Sequence, residues 1–517
     1  MKYVSSILTT ALALVFVSAC GQKADEPAPD AADTGAAADA AAPADTGGMV
    51  LPATTESAEA RAHYMAGWAD FENSRFNSAH NHFLESVAAD ADFAMGHLMA
   101  ALTSPSTEAF VENLGRATET KIKVSGEEQI LITAFENALA ADSQALISAL
   151  QEMTSMYPDS PRAWVFLGNA LTNVNNAADS RAAYKKAMDL DPKHVPAHIN
   201  LGNNLLTLEP KDFAAAEEHF MHAVALTPNE PNPHDLLGDV HRAQGNLQAA
   251  YNDYTKAAEL APTLGAGLQQ RGHVNSFLGN FDEARTDYSR SAELETARGA
   301  TGGGFFLVFR AYVNLHEGDF EAAIDELQGI ADSADEDFPS VALDLKVNAL
   351  TNIALIATEL GDSDVASKAI ADASAVLLQQ ADAVESDDLR DAAEATTSYM
   401  QGLLAARMGH ADGAAAAATA FEGHVASSTN PRKLERMHEI LGMAAWYEEN
   451  YADAIEHLSA GDHMNNMYTK YYLARANQEA GNGDEAARLY DELAVYNFNG
   501  PGYAMFRKNI LEKAAST

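Results

Sequence analysis

The 517-residue chain is nearly without cysteine and poor in positive charge. Its single cysteine, Cys20, excludes an intramolecular disulfide, a Cys-based zinc site and a cysteine-ligated iron–sulfur cluster. Only 33 Lys and Arg residues oppose 74 Asp and Glu residues, giving a formal net charge of −41. Nucleic-acid binding exchanges counterions for Lys and Arg, so a chain this acidic repels a phosphate backbone. We therefore expect no nucleic-acid partner.

Several catalytic signatures are also missing. The run Gly302–Gly304 lacks the Lys-Ser/Thr that follows in a phosphate loop, and neither GxSxG nor HExxH occurs. The best histidine pairs have no third ligand at metal spacing or lie on different helix faces. They are His194 with His198, His219 with His222, and His80 with His82. We expect ordinary surface or core histidines, no metal, no cofactor and no enzymatic activity.

Residues 1–19 have the pattern of an export signal. Lys2 precedes a short apolar run, Val4 to Val17, that is too short for a comfortable membrane span. The Val-Ser-Ala-Cys sequence ending at Cys20 resembles the lipobox of bacterial lipoproteins, which implies a lipidated Cys20 and membrane contact through the lipid anchor only. Gly21 stands where such proteins carry an Asp for inner-membrane retention, which implies an outer-membrane lipoprotein facing the periplasm. The alternative is an ordinary signal peptide followed by a free thiol.

Residues 20–56 are almost entirely Ala, Asp, Pro, Thr and Gly, with no aromatic residue. Such a segment cannot bury enough apolar area to offset its conformational entropy. We expect it to be a disordered tether with a root-mean-square span on the order of 30 Å.

Three residue types repeat in phase every 34 to 36 residues. They are the glycines Gly168, Gly202, Gly238 and Gly272, the aromatics Tyr184, Phe220, Tyr254 and Tyr288, and the prolines Pro192, Pro228 and Pro262. This period and residue order resemble the tetratricopeptide repeat, a unit of two antiparallel helices. The resemblance implies an all-α fold: a right-handed α-solenoid of about ten to twelve helical hairpins.

The repeated residue types have mechanical reasons. Trp164 and Gly168 share one face of a helix, where the glycine lets the partner helix approach closely. Tyr254 fills space towards the next unit, and Pro262 prevents the second helix from continuing. The residues that we expect to hold the hairpins together are Trp164, Gly168, Gly202, Gly238, Gly272, Ala250, Tyr254 and Pro262.

The repeats divide the chain into two predicted arrays. The N-terminal array covers residues 57–296, with its clearest units at 161–296. A divergent C-terminal array covers residues 305–517. Between them, 297–304 interrupts the period, and because three consecutive glycines resist helix formation we predict a hinge there.

The function favoured by this pattern is a lipid-anchored periplasmic scaffold that binds a protein or an extended peptide on its concave face. Counting along the repeat places Asn169, Asn203, Asp239 and His273 at equivalent inward positions, with Asn200 one turn before Asn204. An asparagine amide carries both a donor and an acceptor, which suits a peptide backbone. Val165, Asn232 and Leu236 stand where the carboxylate clamp of chaperone-binding repeats has basic residues, which argues against capture of a C-terminal carboxylate.

Two other functions remain open. An all-helical toroid could act as a hydrolase on envelope glycans or peptides, using a pair of carboxylates. The chain could also be an assembly factor for outer-membrane proteins or pili, which differs from the scaffold only in its client. A deep pocket with two carboxylates a few ångströms apart would favour the hydrolase.

Overall fold

The computed structural model describes residues 53–72, 75–104, 107–139, 142–298, 302–383, 387–428 and 432–516. These residues contain 25 α-helices, one 3₁₀ helix at Lys121–Lys123 and no strand. The predicted all-α fold is confirmed, and the consecutive helical hairpins form an α-solenoid. The export signal, Cys20 and nearly all of the tether lie outside the described residues. No described helix is both long enough and apolar enough to span a membrane.

The first twelve helices are α1 Ala58–Glu72, α2 Phe76–Ala89, α3 Ala94–Leu102, α4 Thr107–Thr120, α5 Gly126–Leu139, α6 Ser143–Met156, α7 Pro161–Asn173, α8 Ala177–Leu190, α9 Val195–Thr207, α10 Phe213–Leu226, α11 Pro231–Ala243 and α12 Leu247–Leu260. The remaining helices are α13 Ala266–Leu278, α14 Phe281–Ala297, α15 Gly303–Glu317, α16 Phe320–Asp337, α17 Ala342–Leu360, α18 Ser363–Ala383, α19 Asp387–Arg407, α20 Ala411–His424, α21 Glu435–Tyr447, α22 Tyr451–Ala460, α23 Met467–Glu479, α24 Gly483–Ala494 and α25 Pro501–Ala514.

The helices group into two compact units. Unit 1 comprises residues up to 241 together with 252–267, and unit 2 comprises 242–251 and 268–517. Each unit has its own hydrophobic core. In unit 2 the last helix, α25, packs against α23 and α24 and also against α15. The first and last parts of this unit, which are distant in sequence, are therefore in contact.

The two helices of a hairpin bury different amounts of surface. In α9, nine of thirteen residues are buried, whereas α10 buries only Ala216, Phe220 and Ala223. The first helix therefore contacts neighbours on most sides, while the second exposes most of its circumference. This difference is expected when first helices line the inside of a solenoid.

The repeat glycines lie directly against the repeat aromatics. A Cβ added at Gly168 would come within 2.4 Å of the Tyr184 ring, and one at Gly202 within 2.5 Å of Phe220. A Cβ at Gly238 would lie 2.6 Å from the Tyr254 ring, and one at Gly272 would lie 2.8 Å from the Tyr288 ring. Any residue type with a side chain would therefore force the two helices of the hairpin apart at these positions.

The glycines in the turns between the first and second helices are needed for their backbone conformation rather than for close packing. Six of them adopt positive φ, which an L-residue with a side chain rarely does: Gly245, Gly279, Gly318, Gly361, Gly409 and Gly481. They end the first helix in a left-handed conformation and reverse the chain.

The secondary structure of the glycines at 302–304 differs from the expectation. Gly303 and Gly304 form the first turn of α15, so the idea that they resist helix formation is wrong for these two residues. A Cβ at Gly304 would lie 2.5 Å from the Leu345 side chain, so close packing explains this glycine. The hinge itself stays a prediction, and residues 299–301 lie outside the described part of the chain.

Candidate peptide-binding surface

A small cleft lies on the first helices of unit 1. Its volume is about 70 Å³, and the first helices α1, α7 and α9 supply most of its lining, together with His194 and with Phe76 at the start of the second helix α2, but α8 and α10 supply none. We call this side of the first helices, facing away from the second helices, the inner face. Asn169 and Asn200, two of the predicted binding residues, both line the cleft.

Aromatic and charged side chains support the cleft wall. The Arg162 guanidinium lies 4.7 Å from the centre of the Trp68 ring, and its Nε donates a 2.6 Å hydrogen bond to Glu72 Oε1. Phe166 meets Trp68 edge to face. The cleft therefore combines an apolar floor with an ion pair and two amides.

Three of the inward positions share one contact that the sequence analysis missed. The hydroxyl of Tyr184 donates to Asn169 Oδ1 at 2.8 Å, and that of Tyr254 donates to Asp239 Oδ1 at 2.7 Å. The third pair is the His273 ring and the Tyr288 hydroxyl, 2.6 Å from Nδ1. Burial raises the pKa of the tyrosines at 184 and 288, so both hydroxyls keep their protons and can donate.

The fourth inward residue, Asn203, is buried in the hairpin whose repeat aromatic is Phe220, which has no hydroxyl. Asn200 is half-buried and, among the described residues, its side chain makes no hydrogen bond. The structure thus brings Asn169 and Asn200 together at one cleft, while Asn203 lies deeper. Binding at any of these residues stays a prediction.

In unit 2 a segment of the same chain covers part of the inner face. We call residues 495–500, the irregular segment between α24 and α25, the strap. Phe498 lies under the guanidinium of Arg242, whose carbon is 4.4 Å from the ring centre. Asn497 donates a 3.3 Å hydrogen bond to the Arg242 carbonyl oxygen.

The strap residue Asn499 binds two histidines of the inner face. Its Nδ2 donates to the Tyr288 hydroxyl at 3.1 Å and lies 3.2 Å from His273 Nδ1, and its Oδ1 accepts from His316 Nε2 at 3.1 Å. Burial lowers the pKa of His273 well below its usual value and lowers that of His316 to about 4. A neutral imidazole has one donor and one acceptor nitrogen, so His316 can donate to Asn499 while His273 accepts from the Tyr288 hydroxyl.

A cavity of about 760 Å³ lies on the other side of the strap, within unit 2. Glu435, Glu439 and Asp462 contribute carboxylates to its lining. Arg432 pairs with two of them, with Nε 2.6 Å from Glu435 and Nη2 2.8 Å from Asp462. The third, Glu439, is buried and accepts a 2.6 Å hydrogen bond from Tyr399; burial raises the pKa of this carboxyl.

The histidine pairs chosen by spacing are rearranged by the fold. His198 Nδ1 lies 3.2 Å from His219 Nδ1, and its ring stacks on His222. Its Nε2 faces the Pro192 carbonyl oxygen at 3.0 Å, whereas His194 is buried at the cleft.

Comparison with known proteins agrees with the repeat period. The family description "Tetratricopeptide repeat" matches residues 161–194 and 234–264. The chain contains tetratricopeptide repeats. The Caenorhabditis elegans cell division cycle protein 27 homolog is 27% identical over 143 residues, 28% of this chain and 18% of that protein. The chain thus spans less than a fifth of this curated relative.

Solved structures are also similar to parts of the chain. MamA from Desulfovibrio magneticus RS-1 is 20% identical, with a TM-score of 0.30, over 33% of this chain and 96% of that one. PilW, described as a widely conserved type IV pilus biogenesis factor, is 13% identical, with a TM-score of 0.34, over 42% of this chain and 99% of that one.

Proposed function

We propose that this chain is a lipid-anchored, periplasm-facing tetratricopeptide scaffold without catalysis of its own. It binds an extended segment of another protein on the inner face of unit 1. Tetratricopeptide proteins typically bind protein or peptide partners, and their concave surfaces provide the room. The anchor is Cys20, and the location is the outer membrane.

The strap is the observation that carries the proposal. In unit 2 an irregular peptide segment lies on the inner face, held by the amides of Asn497 and Asn499 and by the Phe498 ring on an arginine. The same repeat in unit 1 presents Asn169, Asn200 and Arg162 at its cleft. Because equivalent first helices supply both surfaces, the strap indicates which chemistry the cleft accepts: amide and aromatic groups of a non-helical segment.

In-cell photo-cross-linking tests this proposal. A photo-reactive amino acid replaces Asn200, which is half-buried at the cleft and makes no side-chain hydrogen bond that the change would break. The matched control replaces Met221, which is 55% exposed on the second helix α10 of the same unit. We expect a discrete adduct from position 200 only, and its mass spectrum identifies the client, including an assembly client such as a pilus or outer-membrane protein.

The outcome that contradicts the proposal is an adduct at position 221 without one at 200, because binding would then use the second helices. Asn200→Ala in the otherwise native chain provides the second arm. It should weaken the interaction with the identified client while leaving the circular dichroism spectrum unchanged.

One observation favours the hydrolase as a second candidate. The unit 2 cavity contains Glu439, whose raised pKa is the property a general acid needs. Incubating the protein with purified cell-wall sacculi should then release soluble fragments, and Glu439→Gln should abolish the release. No release by the parent chain removes this candidate.

A further inference from the structure

A polar seam runs between the first two helices of unit 1. On α1, His63 and Asp70 lie two turns apart on one side, and on α2, His82 and Glu85 are spaced i, i+3. Because α1 and α2 pack side by side, these side chains face one another. Neither the cleft nor the strap uses any of them.

Three potential ligand atoms converge in this seam. His63 Nδ1 lies 2.8 Å from Glu85 Oε2, and His82 Nδ1 lies 3.2 Å from the same oxygen. One potential ligand atom from each of the three residues lies within 4.8 Å of the other two. In a tetrahedral zinc site, bonds of about 2.0–2.2 Å place ligand atoms roughly 3.4 Å apart, so small rotations of these side chains suffice.

A carboxylate, the partner that metal-bound histidines usually have, faces the far side of His82 just beyond hydrogen-bond distance. His82 Nε2 lies 3.7 Å from Asp70 Oδ2. Asp70 is itself held by Ser78, which donates to Oδ2, and by Arg75, whose Nη2 lies 3.2 Å from Oδ1. A carboxylate behind a histidine fixes the ring orientation and tautomer so that the other nitrogen points at the metal.

We propose that His63, His82 and Glu85 form a binding site for a divalent first-row transition metal, with Zn²⁺ as the ion that suits two imidazoles and one carboxylate. Glu85 is more than half exposed, so ions can enter from solvent and water can complete the coordination. Sequence spacing did not reveal the site, because its histidines come from two helices.

Cobalt titration of the full chain tests the site, since tetrahedral Co²⁺ absorbs visible light and Zn²⁺ should displace it. We expect one equivalent of bound Co²⁺ with this absorption. Both His63→Ala and His82→Ala should abolish it, and Glu85→Gln should weaken it. Asp70→Asn, which leaves all three ligands in place, should weaken metal affinity by about 10–100-fold.

The control variant is His424→Ala. Among the described residues, Asp391, Glu394 and His424 form the other group whose ligand atoms lie this close together. Absorption that survives both His63→Ala and His82→Ala but is lost in His424→Ala places the metal at that second group and overturns the proposal. Absence of tetrahedral absorption in the parent chain overturns it as well. Circular dichroism of each variant checks that it is folded.

Discussion

Gly238→Ala tests the contact on which the hairpins depend. The new Cβ would lie 2.6 Å from Cε1 and 2.7 Å from Cδ1 of Tyr254, closer than real Cβ contacts. The Tyr254 ring is fully buried and its hydroxyl is bound to Asp239, so it can move only by disturbing its surroundings. Overpacking of this kind costs about 1–3 kcal/mol of unfolding free energy.

Gly238→Ala also increases helix propensity, which stabilises the helix, and this contribution must be subtracted from the measured change in unfolding free energy. Replacing glycine by alanine inside a helix stabilises it by roughly 1 kcal/mol. Gly115→Ala in α4 supplies the control, because no atom lies within 4 Å of its added Cβ. Both variants gain the same helix propensity, so the difference between them isolates the ring contact.

Native-state hydrogen exchange measures the local unfolding free energy of the helix that carries each change. We expect Gly115→Ala to stabilise α4 by roughly 1 kcal/mol. The change in local unfolding free energy caused by Gly238→Ala should be about 1–3 kcal/mol less favourable than that gain, so the substitution should be neutral to destabilising for α11. If both variants gain equally, the tyrosine ring does not lie on Gly238 and the packing argument fails.

Three further predictions concern Tyr184, Cys20 and His316. Tyr184→Phe should lower the unfolding free energy by about 1–3 kcal/mol in urea titrations, because buried Asn169 loses its donor; an unchanged midpoint would mean that water replaces it. Cys20→Ser should release the protein from membranes into the soluble periplasmic fraction, and unchanged fractionation would exclude the anchor. The pKa of His316 is near 4 when folded and near 6.5 when unfolded, so the unfolded state takes up the proton first and stability should fall from about pH 6.5 towards pH 4, by about 1.4 kcal/mol per pH unit. His316→Gln should reduce that slope in urea midpoints measured at pH 7 and pH 5.

The hairpins could be predicted from sequence because their contacts are local and periodic. Gly168 meets Tyr184 sixteen residues later, and the same two residue types recur at each unit. The period predicts this pair without any knowledge of tertiary structure. The period contains a second signal: where the repeat aromatic is tyrosine, its buried hydroxyl needs a partner, and the polar residue after the glycine supplies it.

The strap could not be predicted in this way. Asn499 contacts His273 across 226 residues, and no repeat relates the two positions. The contact depends on how α25 returns to α15 at the end of unit 2. Hydrophobic periodicity specifies which face of a helix is buried, but it does not specify which distant segment covers an inner face.

Burial of an inward side chain and binding by that side chain are compatible. The Tyr288 hydroxyl donates to His273 Nδ1 and accepts from Asn499 Nδ2, so one hydrogen bond within the repeat coexists with one to a peptide segment. Asn169 repeats this arrangement: Tyr184 occupies Oδ1, and Nδ2 has no hydrogen-bond partner among the described residues while the side chain lines the cleft. The tyrosine thus fixes the orientation of the amide, which reduces the entropy lost when a ligand accepts from it. A peptide carbonyl is the acceptor that this geometry leaves room for in unit 1.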